Sequence, residues 1–370
     1  MASAAEIAKS LMGVIGENDD ETTVTSFLDS GFPPLNDASS ANWDNGFPVG
    51  RMIEIAGPPS SGKTAIATAA MAAAQKAGGI AGFMDHERSF SLTLAPRLGL
   101  DTTKGRFIFK KPRTFEESLQ MCIVAANHIR KNKLIDKSMP ICWVFDSLAA
   151  MVPQSALYEM KNGKVVGEKS LEDRNMNDNS ALARATSNAF PAFAQACEEL
   201  DICAIFLNQM RMKIGVMFGD PRKTTGGQAP EFYFSQRLWL SSSQIKKGTE
   251  VIGQEVTGKF VKNKIARPFM EAKWRFMYQP DGTGRFDRER SLVEFLDSNG
   301  LFPEKDSSGK AAKAGSVIWE DKAIPRETLA RKIEQEGEAG FEKLKALLPA
   351  SYEPEVTAEL TDFEDDAAAA

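Results

Sequence analysis

The chain has 370 residues, 42% of them hydrophobic, which is enough to bury a full α/β core and one or two smaller units. Its four cysteines are scattered without a C-x-x-C pair and it has two histidines, which argues against a zinc cluster and a histidine-based triad. The net charge of −5 argues at first sight against a nucleic-acid partner, although the distribution of charge matters more than its sum.

The N-terminal residues show no basic region followed by an apolar core, although residues 5–15 have the apolar spacing of a helix. The longest stretch of small apolar residues, Ala65 to Ala74, is too short to span a bilayer. We therefore expect a soluble, cytoplasmic protein that has no membrane partner and keeps its cysteines as buried thiols.

A strand, a glycine-bounded loop and a helix follow one another near residue 60. The apolar run at 52–56 predicts the strand, and the alanine-rich run at 65–74 predicts the helix. Between them lies the sequence Gly57-Pro58-Pro59-Ser60-Ser61-Gly62-Lys63-Thr64. This arrangement is typical of a P-loop, in which backbone N–H groups and the positive end of the helix attract the phosphates of a nucleotide.

The residues of this loop have separate tasks in binding a triphosphate. Gly57 and Gly62 let the backbone turn so that successive N–H groups point at the phosphate oxygens. We expect Lys63 to reach the β- and γ-phosphates of ATP and the hydroxyl of Thr64 to bind Mg²⁺. An ordinary glycine turn before a helix is the alternative, but it does not explain why the strand, the spacing and the helix all fit the motif.

Acidic residues follow the next apolar run, which spans residues 80–84. Asp85 or Glu87 lies just past a strand of the expected sheet, where a carboxylate can position the water that attacks the γ-phosphate. Helix N-capping by Asp85 is the alternative. We favour Glu87, in part because of the resemblance described below.

A second acidic position follows the unbroken apolar run at 141–145. A run of this length predicts a buried parallel strand whose carboxyl end presents Asp146 at the ligand-binding edge of an α/β sheet. Taken alone, this segment would be interpreted as a core strand that ends in a turn formed by Asp146 and Ser147. Beside a P-loop, we interpret Asp146 as the Walker B acid that completes the ATP and Mg²⁺ site.

Positive charge is concentrated between Cys203 and Arg267, where there are eleven lysines and arginines but only four acids. Residues 208–216 alternate apolar and basic side chains, and residues 217–227 are rich in Gly, Pro and Thr. One interpretation is a strand with one solvated face. Because glycines and Pro221 would weaken a sheet, we favour a mobile loop whose apolar and basic side chains contact single-stranded DNA.

The C-terminal part has a different character. Ser291–Leu296 and Ser316–Trp319 resemble strands, and helices are expected from Pro325 and near 341–348, which together suggest a small α/β module. Residues 353–370 contain acids and no basic residue, which predicts a disordered acidic tail. Such a tail either competes with DNA for a basic surface or keeps the protein soluble.

Several motifs, in this order, closely resemble those of bacterial RecA recombinases. The likeness spans about Trp43 to Phe269. The matching segments are 59–64, 145–150, 208–227, Phe232-Tyr233, Arg237 and 261–266. Because these motifs are independent of one another and lie in register, the resemblance is specific to this family.

The resemblance implies roles for single residues. Glu87 matches the catalytic glutamate of the family, which favours it over Asp85. Gln209 matches a glutamine that senses the γ-phosphate and couples nucleotide state to DNA affinity, a task that suits an amide because it both donates and accepts hydrogen bonds. Lys262 and Lys264 match a pair that reaches the ATP of a neighbouring subunit, and their i, i+2 spacing puts both on one face of a strand.

The resemblance also identifies DNA contacts and a subunit interface. Residues 171–184 lie where the family has its first DNA loop, and residues 208–227 match the second. Phe232, Lys262 and Lys264 are expected at the interface between subunits. The residues expected to contact DNA are Arg184, Arg211, Met212, Lys213, Ile214, Arg222, Lys223, Thr225, Gly226 and Gly227.

Three positions depart from the family pattern. Leu94 stands where the family stacks a tyrosine on adenine, which bears on base selectivity. Glu231 replaces an interface lysine, and Pro191 replaces a basic residue near the first loop. These two changes bear on filament contacts and on allosteric coupling.

The resemblance implies an α/β fold with a RecA-like P-loop ATPase core, in which helices flank a mostly parallel central sheet. The expected divisions are an N-terminal oligomerisation segment (1–40), the core with its DNA loops (41–280), a small α/β C-terminal domain (281–352) and the tail (353–370). The implied function is a DNA-dependent ATPase of recombination and repair that uses ATP and Mg²⁺. Its copies would form a helical filament on single-stranded DNA and exchange strands with homologous double-stranded DNA.

Two other functions use the same features. A hexameric helicase shares the ATPase core and has loops that contact single strands, but it forms rings and uses ATP to separate strands. A non-enzymatic protein that coats DNA could keep the P-loop as structure, and Glu87 argues against it. We favour the recombinase.

Overall fold

The computed structural model of the chain describes residues 24–162, 164–170, 172–173, 180–212, 222–279 and 284–351. The predicted helix at 5–15 and the acidic tail at 353–370 lie outside these residues. In the described ranges the chain alternates strands and helices around one large sheet, as expected for an α/β protein.

The large sheet has ten strands in the order β14-β13-β12-β11-β3-β9-β6-β4-β5, with β10 paired to β9. From β11 to β5 the neighbouring strands are parallel, whereas β12, β13, β14 and β10 are antiparallel to their neighbours. The strands are β3 (Met52–Gly57), β4 (Ile80–Asp85), β5 (Phe107–Lys110), β6 (Ile141–Asp146), β9 (Ile202–Met212), β10 (Arg222–Thr224), β11 (Gln236–Lys247), β12 (Glu250–Asn263), β13 (Glu271–Tyr278) and β14 (Gly284–Phe286).

Shorter pairs of strands lie outside the large sheet. These are β1 (Phe27–Leu28) with β2 (Phe47–Pro48), β7 (Tyr158–Lys161) with β8 (Lys164–Glu168), and β15 (Ser316–Trp319) with β16 (Lys322–Pro325). The helices of the described chain are α1 (Pro33–Ser40), α2 (Lys63–Lys76), α3 (Phe115–Lys131), α4 (Gln154–Leu157), α5 (Ala181–Glu199), α6 (Ala229–Tyr233), α7 (Arg288–Ser298), α8 (Arg326–Glu336) and α9 (Glu338–Lys345).

Two hydrophobic cores cover the two faces of the sheet. Successive side chains of a strand point to opposite faces, so Met52 joins one core while Ile53 and Ile55 join the other. Helix α2 and the C-terminal helices pack on the Ile53 face, and α3 and α5 pack on the Met52 face. Strands β3, β4 and β6 are buried along their whole length, which is why they appear in the sequence as unbroken apolar runs.

The four cysteines are free and buried, as predicted. Helix α3 begins at a capping box, in which the side chain of Thr114 accepts from the N–H of Glu117 and the Glu117 carboxylate bonds back to Thr114.

Pro191, one of the three departures from the family pattern, lies inside helix α5. Among the described residues, no helix is long and apolar enough to cross a membrane.

The C-terminal part corrects one prediction. Ser291–Leu296 belongs to helix α7 and is not a strand, because its apolar positions Leu292, Val293 and Leu296 lie on one helical face that is buried in the core. Ser316–Trp319 is a strand, as predicted, and helices α8 and α9 follow it. Strand β14 and helix α7 pack on β13, so this part continues the main core; its independence as a domain stays a prediction.

Candidate nucleotide site and DNA-loop roots

The P-loop connects β3 to α2 at the edge where the parallel strands end. Gly57 ends β3, and a Cβ at this position would lie 2.6 Å from the hydroxyl oxygen of Ser61. Gly62 caps α2 with a φ of 85°, a left-handed conformation that glycine adopts without strain. The hydroxyl of Ser61 is buried and makes no hydrogen bond within the described chain, so it can serve a phosphate oxygen.

The two side chains of the loop that are predicted to bind phosphate and Mg²⁺, Lys63 and Thr64, begin helix α2. The Nζ of Lys63 donates to the backbone carbonyls of Gly57, at 3.1 Å, and Pro58, at 2.8 Å. The hydroxyl of Thr64 donates to Oδ2 of Asp146 at 3.3 Å. The fold therefore brings the P-loop and the end of β6 into direct contact, as the sequence predicted.

Negative charge is concentrated at this contact. Burial, with a smaller contribution from the carboxylates of Glu87 and Asp85, raises the pKa of Asp146 to about 7. Burial lowers the pKa of Lys63, whereas Asp146 and Glu87 act in the opposite direction. A bound divalent cation would relieve the repulsion between these carboxylates.

The donor set fits Mg²⁺ only in part. Within the described ranges, no group of three or more His, Cys, Asp or Glu side chains is arranged around a metal position. Thr64 and Asp146 offer two oxygen ligands, whereas Mg²⁺ is usually bound by one or two carboxylates together with phosphates and water. The remaining ligands must therefore come from the triphosphate and from water.

The two acids after β4 have different surroundings. Asp85 is fully buried, and its carboxylate accepts from the backbone N–H groups of Ser89, at 3.2 Å, and Phe90, at 3.4 Å. It holds the loop after β4 and caps no helix. Glu87 is exposed at the carboxyl edge of the sheet, where a water molecule can reach it.

Glu87 contacts the predicted nucleotide sensor. Its Oε1 accepts hydrogen bonds from the hydroxyl of Ser147 and, at 3.0 Å, from Nε2 of Gln209. In the sheet, Gln209 is the register partner of Gly57, where the P-loop begins. Gln209 thus connects Glu87, the acid predicted to position water, to the start of the P-loop and to the strand that leads to the basic loop.

Aromatic side chains that the sequence analysis missed border the P-loop. A cavity of about 320 Å³ lies between the loop and strands β12 and β13, and Phe276 and Tyr278 line it. Gln254 on β12 donates to the backbone carbonyl of Ser60 at 2.8 Å, which holds the loop beside this wall. Aromatic rings suit the flat face of a nucleobase. The alternation of Trp274, Phe276 and Tyr278 along β13 was the available signal.

The second basic loop has a strand at its root. Residues 210–212 of β9 pair with β10, where Lys223 faces Arg211 and Thr224 faces Met210. Within the segment 208–227, the strand interpretation is therefore correct for residues 208–212 and 222–224, which belong to β9 and β10. Lys213 and Ile214, like the side chain of Met212, lie outside the described residues. Arg211, Arg222 and Lys223 are exposed at this root.

The roots of the two expected DNA loops touch each other. Arg184 lies exposed near the start of α5, which follows the first loop, and its guanidinium donates to the hydroxyl of Ser180. On the same helix, the hydroxyl of Thr186 donates to the backbone carbonyl of Gly226 at 2.8 Å. Gly226 is buried, whereas Gly227 is exposed and Thr225 is half-buried.

Comparison with known proteins identifies the family. The RecA N-terminal domain family matches residues 7–283 of the chain. The chain belongs to the RecA family. It is 39% identical to "Protein RecA 2" of Myxococcus xanthus over 264 residues, which are 71% of this chain and 66% of that protein.

Two further relatives are similar to the chain over comparable lengths. "Protein RecA" of Corynebacterium efficiens is 36% identical over 287 residues, 75% of this chain and 67% of the relative. "Protein RecA" of Chloroherpeton thalassium is 39% identical over 234 residues, 63% of this chain and 59% of the relative. The chain thus spans about two thirds or less of the length of these relatives. The predicted RecA resemblance and the RecA-like α/β fold are confirmed.

The expected RecA interface residues lie far from the P-loop of the same chain. Asn263 is opposite Gln236, which is opposite Ile53, so Lys262 and Lys264 lie near the edge where the parallel strands begin. Lys262 is opposite Arg237, which is opposite Glu54, so Lys262 lies two strands away from β3 and level with a position three residues before Gly57. Its ammonium is bonded to backbone carbonyls of Glu231 and Phe232 and does not contact the P-loop of its own chain.

Lys262 is held beside Phe232, which is 65% exposed. Its Nζ donates to the backbone carbonyls of Glu231, at 2.6 Å, and Phe232, at 3.0 Å. Burial, with smaller contributions from the cations of Lys264 and Arg237, lowers the pKa of Lys262 to about 8. The three predicted interface residues therefore form one surface, rich in positive charge, at the edge opposite the nucleotide site.

Proposed function

We propose that the chain is an ATP-dependent DNA recombinase that forms a filament of its own copies on single-stranded DNA and exchanges strands with homologous duplex DNA. The observation that carries the proposal is the hydrogen bond between Glu87 and Gln209. It joins the acid that would position the attacking water to the strand that leads into the basic loop. Such a contact lets ATP binding and DNA binding influence each other.

In the proposed mechanism, the backbone of residues 57–62 and the ammonium of Lys63 bind the phosphates of ATP. Thr64 and Asp146 would hold Mg²⁺, which neutralises the charge that develops on the phosphates. Glu87 orients the attacking water and accepts its proton. The rings of Phe276 and Tyr278 contact the base, which would offset the absence of a tyrosine at Leu94.

The lysine pair acts between copies. Lys262 and Lys264 of one copy would complete the site of the next, because they lie at the opposite edge of the sheet from their own P-loop. Their charge would stabilise the transition state, as an arginine finger does. Phe232 lies on the same surface and would pack against the neighbouring copy, so hydrolysis would depend on filament assembly.

The DNA contacts divide by chemistry. The basic side chains would bind the DNA phosphates, so the affinity for DNA should fall steeply as the salt concentration rises. These side chains are Arg184, Arg211, Lys213, Arg222 and Lys223. Met212 and Ile214 would contact unstacked bases, and Thr225, Gly226 and Gly227 would bring the backbone close to the strand. We place this activity in the cytoplasm, where both single-stranded and double-stranded substrates occur.

The test is joint-molecule formation. Labelled single-stranded DNA is incubated with the protein, a poorly hydrolysed ATP analogue and a supercoiled plasmid that is either homologous or unrelated. Capture only by the homologous plasmid is expected, because pairing needs the ATP-bound filament and not turnover. No capture, together with DNA-stimulated hydrolysis of ordinary ATP, would overturn the recombinase in favour of a helicase-like motor.

A further inference from the structure

An ion pair is buried within the parallel sheet. Glu54 on β3 is fully buried, Arg237 on β11 is 8% exposed, and the two are partners in the strand register. The Nε of Arg237 donates to Oε2 of Glu54 at 2.7 Å. A buried pair adds little net stability, because the loss of hydration of both charges offsets their attraction. Its location among apolar strands therefore suggests a role in positioning.

The ion pair reaches the root of the second loop by two hydrogen bonds. The Nη2 of Arg237 donates to the hydroxyl of Thr224 at 2.9 Å. Asn208 on β9 donates from Nδ2 both to Oε1 of Glu54 and to the backbone carbonyl of Thr225, each at 2.8 Å. Two consecutive residues at the end of β10 are thus bonded to partners of the same buried carboxylate.

The same network reaches the nucleotide site. Glu54 lies on β3, three residues before Gly57, and β3 leads directly into the P-loop. The Oδ1 of Asn208 accepts from the backbone N–H of Gln209 at 2.9 Å, and the side chain of Gln209 contacts Glu87. A displacement of β3 or of Gln209 would therefore be transmitted to Thr224 and Thr225 at the root of the second loop.

A third contact extends the network to an expected DNA-binding side chain. The guanidinium of Arg237 lies 5.7 Å from the ring centre of Trp239, and that of Arg222 lies 5.1 Å from the same ring. Both cations are within the range of a cation–π interaction. Arg237 therefore helps to place the ring against which Arg222 rests.

We propose that Arg237 and Glu54 are positioning residues that couple the nucleotide site to the second DNA loop. They hold Thr224 and, through Asn208, Thr225 in a place set by the P-loop strand. The pair thereby determines how much ATP, compared with ADP, raises the affinity for single-stranded DNA. The proposal rests on the function proposed above and adds the residues that carry its coupling.

The experiment measures the affinity of the whole chain for a fluorescent oligothymidine by anisotropy, once with a poorly hydrolysed ATP analogue and once with ADP. The ratio of the two affinities reports the coupling. Thr224→Val removes one hydrogen bond and leaves Glu54 and Arg237 paired. Thr257→Val, at a half-buried threonine on β12, is the matched control.

Thr224→Val is expected to lower the affinity ratio about fivefold, while nucleotide affinity and melting temperature stay as in the Thr257→Val control. Arg237→Lys keeps a positive charge beside Glu54 but cannot also reach Thr224, so it should lower the ratio at least as much. If both variants fold and keep the wild-type ratio, the network does not couple the sites and the proposal is wrong.

Two other results are distinguishable from this one. If the variants lose nucleotide affinity by the same factor as DNA affinity, or if their melting temperature falls below that of the Thr257→Val control, the role of the network is purely structural. Either result overturns the proposal. A wild-type protein that binds DNA equally with the analogue and with ADP contradicts the proposed function itself. That result appears before any substitution is made.

Discussion

The parallel and antiparallel halves of the central sheet contribute to function in different ways. The parallel half presents Lys63, Asp146, Glu87 and Gln209 where its short buried strands end, so its chemistry is concentrated at one edge. The antiparallel half contributes along its strands: Phe276 and Tyr278 lie beside the P-loop, and Lys262 lies near the opposite edge. In the proposed mechanism, hydrolysis belongs to the first half, and base contact and communication between copies belong to the second.

The largest effect is expected in the parallel half, from Lys63→Ala. Loss of the ammonium that is proposed to bind the β- and γ-phosphates should abolish ATP turnover, measured as phosphate release with and without single-stranded DNA. Lys76→Ala is the control, since Lys76 is exposed at the other end of the same helix. Normal turnover in Lys63→Ala would show that the P-loop assignment is wrong.

A pair of substitutions distinguishes the roles of the two acids after β4. Glu87→Gln should lower kcat for ATP hydrolysis by about 100-fold or more, since it removes general-base or water-positioning catalysis while nucleotide binding persists. Asp85→Asn should instead lower the melting temperature, because Asp85 holds the loop through two backbone N–H groups. An active Glu87→Gln variant would exclude this residue as the acid.

In the antiparallel half, Lys262→Ala should leave nucleotide affinity nearly unchanged and reduce DNA-stimulated hydrolysis about tenfold or more, because in the proposed filament the missing cation belongs to the site of the neighbouring copy. Lys259→Ala, at an exposed lysine on the same strand, is the control.

Mixing tests whether Lys262 acts between copies. A mixture of Lys262→Ala and Lys63→Ala protein should hydrolyse ATP faster than either variant alone, because a neighbour with an intact lysine completes an intact P-loop. If the mixture shows no gain, Lys262 does not act on the neighbouring site.

A smaller effect is expected at the aromatic wall. Tyr278→Ala should weaken binding of a fluorescent ATP analogue about tenfold, which corresponds to about 1.4 kcal/mol of lost ring contact. Tyr278→Phe keeps the ring and should bind nearly as wild type. Equal affinities of all three proteins would place the base elsewhere.

His86→Gln should barely change turnover but should change the response of stability to pH. Burial lowers the pKa of His86 to about 4, below its ordinary value of 6.5. Between these values the unfolded chain binds more protons, so acidification from pH 6.5 to 4 destabilises the native state by up to about 1.4 kcal/mol per pH unit. The variant should lose less stability than wild type between pH 7 and 5 in urea unfolding.

The comparison with wild type is needed because Asp146 changes the pH dependence of stability in the direction opposite to His86. Its pKa is raised to about 7, so the native state binds more protons than the unfolded chain below that pH and acidification stabilises it. The difference between the two proteins isolates His86. Equal pH dependence in both would show that this histidine titrates normally.

The sequence predicted β3, β4 and β6 of the parallel half correctly, and in the C-terminal part its prediction was wrong for one element, helix α7. Strands β3, β4 and β6 are buried on both faces and appear as unbroken apolar runs, so the positions where they end could be predicted from the sequence. In α7, the short apolar run at 291–296 is compatible with a strand or a helix, and the prediction chose the strand. Only its packing on β13 decides between them.

The sequence by itself determined the P-loop, Asp146, the acidic position after β4, the basic segment and the family, because phosphate binding depends on residues that are neighbours in the chain. Only the tertiary structure decided that Asp85 holds a loop, that Tyr278 borders the P-loop and that Lys262 lies at the opposite edge. It also decided that Arg237 is buried against Glu54 and not on the basic surface. These facts depend on the order and register of strands distant in sequence, which local patterns do not encode.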